Sequence, residues 1–311
     1  MTGTILLILG IVLIFILITA PLEALEWWVD WIRDDPAIAD ILPSANEIQD
    51  APCFIVYMTG IGTMEPETHA WREQQLFEQL QEKLPDAVLV NQIFPYSMNN
   101  VALTGHRFFS RLWRITHWLR DKARLSFAQL LANIRNITQV AVSIDHRYGP
   151  IYNRGSAELV RKALAHSGYP FGADVPVILI GYSGGVQIAT GAVPFLKPHL
   201  NGPLLVISIG GVFASGKGHM LADRYLHIVG ERDPAERIGR ILFGRRWPIW
   251  RRSHWNRALA AGRVQIARTH SRAHTGRGGY LDPKSGPAEE SSYLDETVMI
   301  ITDAARRLCH K

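Results

Sequence analysis

The sequence predicts an α/β protein built on a mainly parallel, doubly wound sheet. Three observations lead there. Short apolar runs rich in β-branched residues recur along the chain, among them Cys53–Met58, Val175–Ile180 and Pro203–Ser208. Such continuous runs suit strands covered on both faces. Stretches with helical spacing separate them, the pattern of parallel strands joined by crossover helices. Glycine-rich turns follow several strands at once, Thr59–Thr63 and Gly181–Gly185 being the clearest.

The chain has 311 residues, 47% hydrophobic and 20% charged, enough for one large domain or two small ones with an ample core. The net charge of +5 is unevenly spread. Cys53 and Cys309 are the only cysteines, which excludes a disulfide scaffold and a cysteine-based zinc site. The expectation is two buried free thiols, with pairing open only in an oxidising compartment.

Residues 1–22 carry no charged side chain, and Thr4–Ala20 is apolar on every face. About 20 such residues span a bilayer as a helix. No basic residue precedes the run and Pro21 follows it, unlike a cleaved signal peptide. Trp27, Trp28 and Trp31 suit the membrane interface. The expected organisation is a single-span anchor over 1–22, a juxtamembrane linker over 23–50 and the folded domain over 51–311. Glu23–Asp50 holds eight acidic residues and only Arg33 as a base, which leaves the side of the membrane open.

Within the domain, Cys53–Met58 reads as the first strand. His69–Leu84 reads as a helix with Trp71, Leu76, Leu80 and Leu84 on one side, and Ala87–Phe94 as the second strand. A cap insertion is expected over about 100–150. It begins basic and aromatic from His106 to Arg124 and continues as a helix past Leu131. Val140–Asp145 reads equally as a strand or as the end of that helix. Arg147–Pro150 is a turn, and Ser156–Ser167 a helix capped by Ser156. After the strand at 175–180, Val186–Val193 continues as a helix. Further strands are expected at 203–208, 225–229 and 264–267. Pro234 suits the first residue of a helix, and the chain closes with a helix over about 291–308.

Gly181-Tyr182-Ser183-Gly184-Gly185 reads G-x-S-x-G, placed between a strand and a helix. A turn that sharp holds a serine hydroxyl out at the carboxyl edge of a sheet, and flanking glycines let neighbouring backbone pass. A serine hydroxyl is a poor nucleophile without a base in reach and a carboxylate to orient the base. In a doubly wound sheet these partners belong just after strands. Asp233 stands four residues past Val229, and His274 seven past Ala267 in a glycine-rich loop. Asp223 and Asp145 compete with Asp233, which also suits a helix cap, and His270 and His254 compete with His274.

The elbow around Ser183, the order Ser183, Asp233, His274 and the strand–helix alternation resemble the α/β-hydrolase fold over roughly residues 51–311. The resemblance implies a nucleophilic Ser183, His274 as general base and then acid, and Asp233 holding the tautomer. It also implies an oxyanion hole from the Gly184 N–H and one N–H of the Thr59-Gly60-Ile61-Gly62 loop, with Ile61 the candidate beside Gly60. Thr59 stands where the family often has histidine.

From Arg237 to Tyr280 there is no acidic residue and there are eleven arginines, with Trp247, Trp250 and Trp255 interleaved. With residues 106–124, a basic cap segment over about 237–262 is expected to face a membrane or an acidic amphiphile, with contacts centred on 237–257. Nucleic acid is not expected. Gly211–Gly218 nearly spells a phosphate-binding loop, but Gly218 replaces the Ser or Thr that would hold magnesium. No metal or organic cofactor is implied. The sequence therefore reads as a membrane-anchored serine hydrolase acting on an ester, thioester or amide, with an apolar or lipid-like acyl substrate. An acyltransferase would use the same residues, and a non-catalytic scaffold would keep only the fold.

Overall fold

The computed structural model describes residues 48–62, 70–96, 122–286 and 291–309. The chain is an α/β protein with a six-stranded, all-parallel sheet flanked by helices. The strands are β1 (Phe54–Met58), β2 (Val88–Ile93), β3 (Val177–Tyr182), β4 (Leu204–Ile209), β5 (Arg224–Gly230) and β6 (Val264–Thr269). The helices among the described residues are α1 (Trp71–Lys83), α2 (Lys122–Ile144), α3 (Gly149–His166) and α4 (Gly185–Leu196). They continue with α5 (Gly218–Leu221), α6 (Pro234–Leu242), α7 (His254–Ala260) and α8 (Tyr293–Cys309).

The period of two along each strand divides the core between the two sheet faces. Phe54, Val56 and Met58 of β1 join Leu179 of β3 and Val206 of β4 under α3 and α4. Ile55 and Tyr57 join Ile178, Ile180 and Ile207 under α1 and α8. The strand order is β2-β1-β3-β4-β5-β6. The chain leaves β1 toward one edge and returns beside it as β3, so β1 and β3 are neighbours at the reversal of strand order. The crevice beyond that point is where doubly wound sheets bind ligands.

Several open or differing expectations are settled by the structure. Val140–Ile144 is the last part of α2, because its buried residues face α3 and α4 rather than a neighbouring strand. The turn at Arg147 is shorter than expected, and α3 starts at Gly149 with Pro150 in its first turn. Ser156 is therefore no cap; its hydroxyl donates to the Tyr152 carbonyl one turn back. Trp71 lies exposed rather than packed, with the Arg72 guanidinium 4.6 Å from its ring centroid. A single helical turn, α5, does begin at Gly218.

Cys53 and Cys309 are joined in a disulfide, not free thiols. Cys53 precedes β1 and Cys309 ends α8, which lies on the same sheet face, so sequence separation says nothing about their proximity. Among the described residues no helix is long and apolar enough to cross a membrane. The expected anchor over 4–20, nearly all of the 23–50 linker and the basic stretch 106–121 lie outside the described residues.

Candidate active site

Ser183 follows β3 directly with φ of +54°, and among the described residues no other non-glycine has positive φ. That backbone conformation is costly for a side chain bearing Cβ and persists only where neighbours hold it. The Ser183 N–H donates to the Ile209 carbonyl, and its carbonyl accepts from the N–H groups of Val186 and Val212. Gly185 permits the close approach of β1, since a Cβ there would collide with the Thr59 carbonyl.

Ser183 Oγ lies 2.7 Å from His274 Nε2, and His274 Nδ1 lies 2.8 Å from Asp233 Oδ2. The three residues thus form one continuous hydrogen-bonded chain, each delivered by the loop after a different strand. Asp233 is wholly buried and uses both carboxylate oxygens. Oδ1 accepts from the Ala235 and Glu236 N–H groups and so caps α6. Oδ2 faces His274. The cap and the partner to His274, alternatives in the sequence, coexist on one side chain.

Burial pushes the Asp233 carboxyl up, but the His274 hydrogen bond and charge, with Tyr280 and the Glu236 N–H, outweigh it and leave the group below the usual range. An ionised carboxylate only accepts. Nδ1 of His274 therefore carries the proton, and Nε2 is left to accept from Ser183.

Two tyrosines complete this arrangement, and neither role was visible in the sequence. The buried Tyr280 hydroxyl donates to Asp233 Oδ2 at 2.8 Å and accepts from the Gly230 N–H at 2.7 Å. Burial holds its phenol far above the ordinary value, so it stays a donor. Room for its ring requires Gly210, at φ +53°, where a Cβ would sit 2.5 Å from the ring. Tyr182 lies stacked against the His274 imidazole and bonds to that residue's carbonyl.

The Thr59-Gly60-Ile61 turn sits against Ser183. A Cβ on Gly60 would lie 3.4 Å from Ser183 Cβ, and one on Gly184 2.8 Å from Ile61 Cγ2. Side chains hold the turn in place. The Tyr96 hydroxyl donates to the Thr59 carbonyl, the Asn136 amide to the Ile61 carbonyl, and the Thr59 hydroxyl to buried Glu73. The N–H groups of Ile61 and Gly184 have no hydrogen-bond partner among the described residues. Unsatisfied donors beside such a serine are what a developing oxyanion needs.

No protein-family model matches the chain, and no curated protein resembles it in sequence. Among solved structures it is similar to the crystal structure of Atu2452, a protein of unknown function from Agrobacterium tumefaciens str. C58. The identity is 13% over 84% of this chain and 93% of that one, with a TM-score of 0.41.

The competing residues are engaged elsewhere. His270 Nδ1 meets Glu296 at the surface, Asp223 pairs with Lys197, and Asp145 accepts from the N–H groups of Arg147 and Tyr148. His254 opens α7. Gly211–Lys217 is a loop between β4 and α5, with Lys217 exposed. Among the described residues no three His, Cys, Asp or Glu side chains are grouped to hold a metal.

A second buried polar cluster lies behind Asp233, on α6 and the turn after it. Glu236 Oε1 accepts from Arg246 Nη2 at 3.1 Å, and the same nitrogen lies 3.2 Å from His227 Nε2. His227 Nδ1 meets the Ser208 hydroxyl at 2.9 Å. The Arg246 guanidinium lies over the Phe213 ring at 3.9 Å. Burial lowers both His227 and Arg246, and burial drives His219 beside them to about 3. The basic segment is thus not uniformly solvated: Arg246 turns inward.

Proposed function

We propose that this chain is a serine hydrolase of the α/β-hydrolase type, cleaving an ester, thioester or amide through an acyl-serine intermediate. The observation that carries this is the hydrogen-bonded chain Ser183–His274–Asp233, built on a serine held at positive φ at the reversal of strand order. Ser183 Oγ attacks the substrate carbonyl while His274 Nε2 takes its proton. Asp233, ionised and fully hydrogen-bonded, stabilises the imidazolium that forms. The negative oxygen of the tetrahedral intermediate rests on the Gly184 and Ile61 N–H groups. His274 then returns its proton to the leaving group, and water, activated by the same imidazole, releases the acyl group.

The substrate proposed is an apolar acyl or lipid-like ester, and the chain is proposed to be held at a membrane by residues 4–20. No organic or metal cofactor enters this mechanism. A fluorophosphonate probe tests the reading: wild type is expected to be labelled and Ser183→Ala to be inert. Turnover of p-nitrophenyl esters across acyl lengths then reports the substrate class. A wild-type chain that resists the probe while folded overturns the proposal.

A further inference from the structure

We propose that α6 and the turns leading to α7, residues 237–252, form a docking surface for an anionic lipid bilayer. Ile238, Ile241 and Leu242 recur at helical spacing and form one apolar stripe, yet they point outward, with Leu242 70% exposed. The inward side of the same helix is Glu236 and Gly239, and bare Gly239 seats against Val212. The stripe continues past the helix with Trp247, Ile249 and Trp250, Ile249 being 76% exposed. Arg237, Arg240, Arg245, Arg251 and Arg252 are exposed among these residues, and no carboxylate interrupts them. A contiguous apolar patch of this kind marks an interaction site.

The charge complement selects the occupant. Outward Ile, Leu and Trp side chains enter the headgroup boundary, and arginines around them meet anionic headgroups, each raising affinity roughly fivefold. Nucleic acid would use the arginines and indoles but would leave most of the apolar stripe uncovered, since it takes up Ile or Leu only as single wedges between base steps. The surface is also preformed. Arg246 anchors the turn from below, the Asn256 amide donates to the Trp247 and Trp250 carbonyls, and the Trp247 indole donates to the Arg240 carbonyl. An anchor at 4–20, outside the described residues, does not say which face of the domain meets the bilayer. Docking by this surface orients the domain. The helix that carries the stripe is the one capped by Asp233, and its support, Val212, donates to the Ser183 carbonyl.

The proposal does not depend on the hydrolase reading, and its test is run on Ser183→Ala as well as on wild type. The full chain is reconstituted into vesicles carrying brominated phosphatidylglycerol or, in parallel, into vesicles of brominated phosphatidylcholine alone, and tryptophan quenching is compared with that of Trp247→Phe/Trp250→Phe. The difference isolates these two indoles from Trp27, Trp28 and Trp31. Quenching by anionic brominated lipid is expected, with loss in Arg240→Glu/Arg245→Glu/Arg251→Glu/Arg252→Glu, whose circular dichroism and thermal unfolding stay unchanged. Arg246 is left intact because it is buried and paired. Equal quenching by brominated phosphatidylcholine alone, or none in anionic vesicles, overturns the proposal. Dimerisation abolished by Ile241→Glu/Leu242→Glu would instead assign the face to a second copy of the chain.

Discussion

The Tyr182 hydroxyl donates to the His274 carbonyl at 2.7 Å while its ring lies nearly parallel to that residue's imidazole, 5.7 Å between centroids and 17° between planes. Tyr182 thus holds His274 by both the backbone and the imidazole ring of that residue. Tyr182→Phe keeps the stacking and removes the hydroxyl. It is expected to lower kcat about tenfold at unchanged KM, with a loss of stability of about 1 kcal/mol, the worth of an ordinary hydrogen bond. Steady-state kinetics and urea unfolding check both numbers.

Asp233→Asn replaces an acceptor by a group that can donate toward Nδ1. The imidazole then carries its proton on Nε2 and cannot receive one from Ser183. On the chymotrypsin precedent for this substitution, kcat is expected to fall about 10⁴-fold. Tyr280→Phe leaves the tautomer intact and removes one of four donors to the carboxylate. A fall of only about tenfold is expected, and equal losses in the two variants would refute the division of labour.

Gly184→Ala and Gly62→Ala form a matched pair. A Cβ at 184 would lie 2.8 Å from Ile61 Cγ2 and 3.0 Å from Val140 Cγ2, so the turn bearing the second N–H must move. A Cβ at 62 meets nothing within 4 Å among the described residues. Losing one oxyanion donor costs about 10²–10³ in kcat. That loss is expected for Gly184→Ala, and near wild-type turnover for Gly62→Ala.

Stability is expected to fall on acidification. Burial lowers His219 from 6.5 to about 3, so between those values the unfolded chain binds a proton that the folded one does not. Stability therefore rises with pH across that window and declines as pH falls through it, by up to about 1.4 kcal/mol per pH unit. Asp233, also lowered, contributes stability present above its unfolded value of 3.8 and lost as pH falls through the folded one. Urea midpoints from pH 7 to 4 measure the slope. His219→Asn keeps a polar atom near the Nδ1 position that faces Gly216, and it is expected to flatten the curve above pH 4.

The parts legible in the sequence are those governed by local rules. Strand runs flanked by turn residues, the glycine pair around Ser183, and acid and base positions just after strands all follow from periodicity and steric demand within a few residues. What escaped depends on distance along the chain. In Val140–Ile144 the polar Ser143 is buried and the exposed residue is apolar Ala141, so periodicity has no polar face to read. Tyr280 reaches Asp233 across 47 residues. The arginines after 237 look alike in sequence, and only in the fold does Arg246 turn inward onto Glu236 and the Phe213 ring while its neighbours face out. Trp71 shows the opposite error: helical spacing assigned it to the core, and it lies at the surface with Arg72 and Lys284 against its ring.

The bond between Cys53 and Cys309 turns the domain into a covalent ring. Every strand, all three residues of the hydrogen-bonded chain and the arginine-bearing face lie between its two ends. One peptide bond cut anywhere in that span opens the ring without separating its pieces. The nicked protein keeps its mass, plus one water, until a reductant is added, and only then does it run as two bands on a gel. Ser183 and His274 would part company only after both events.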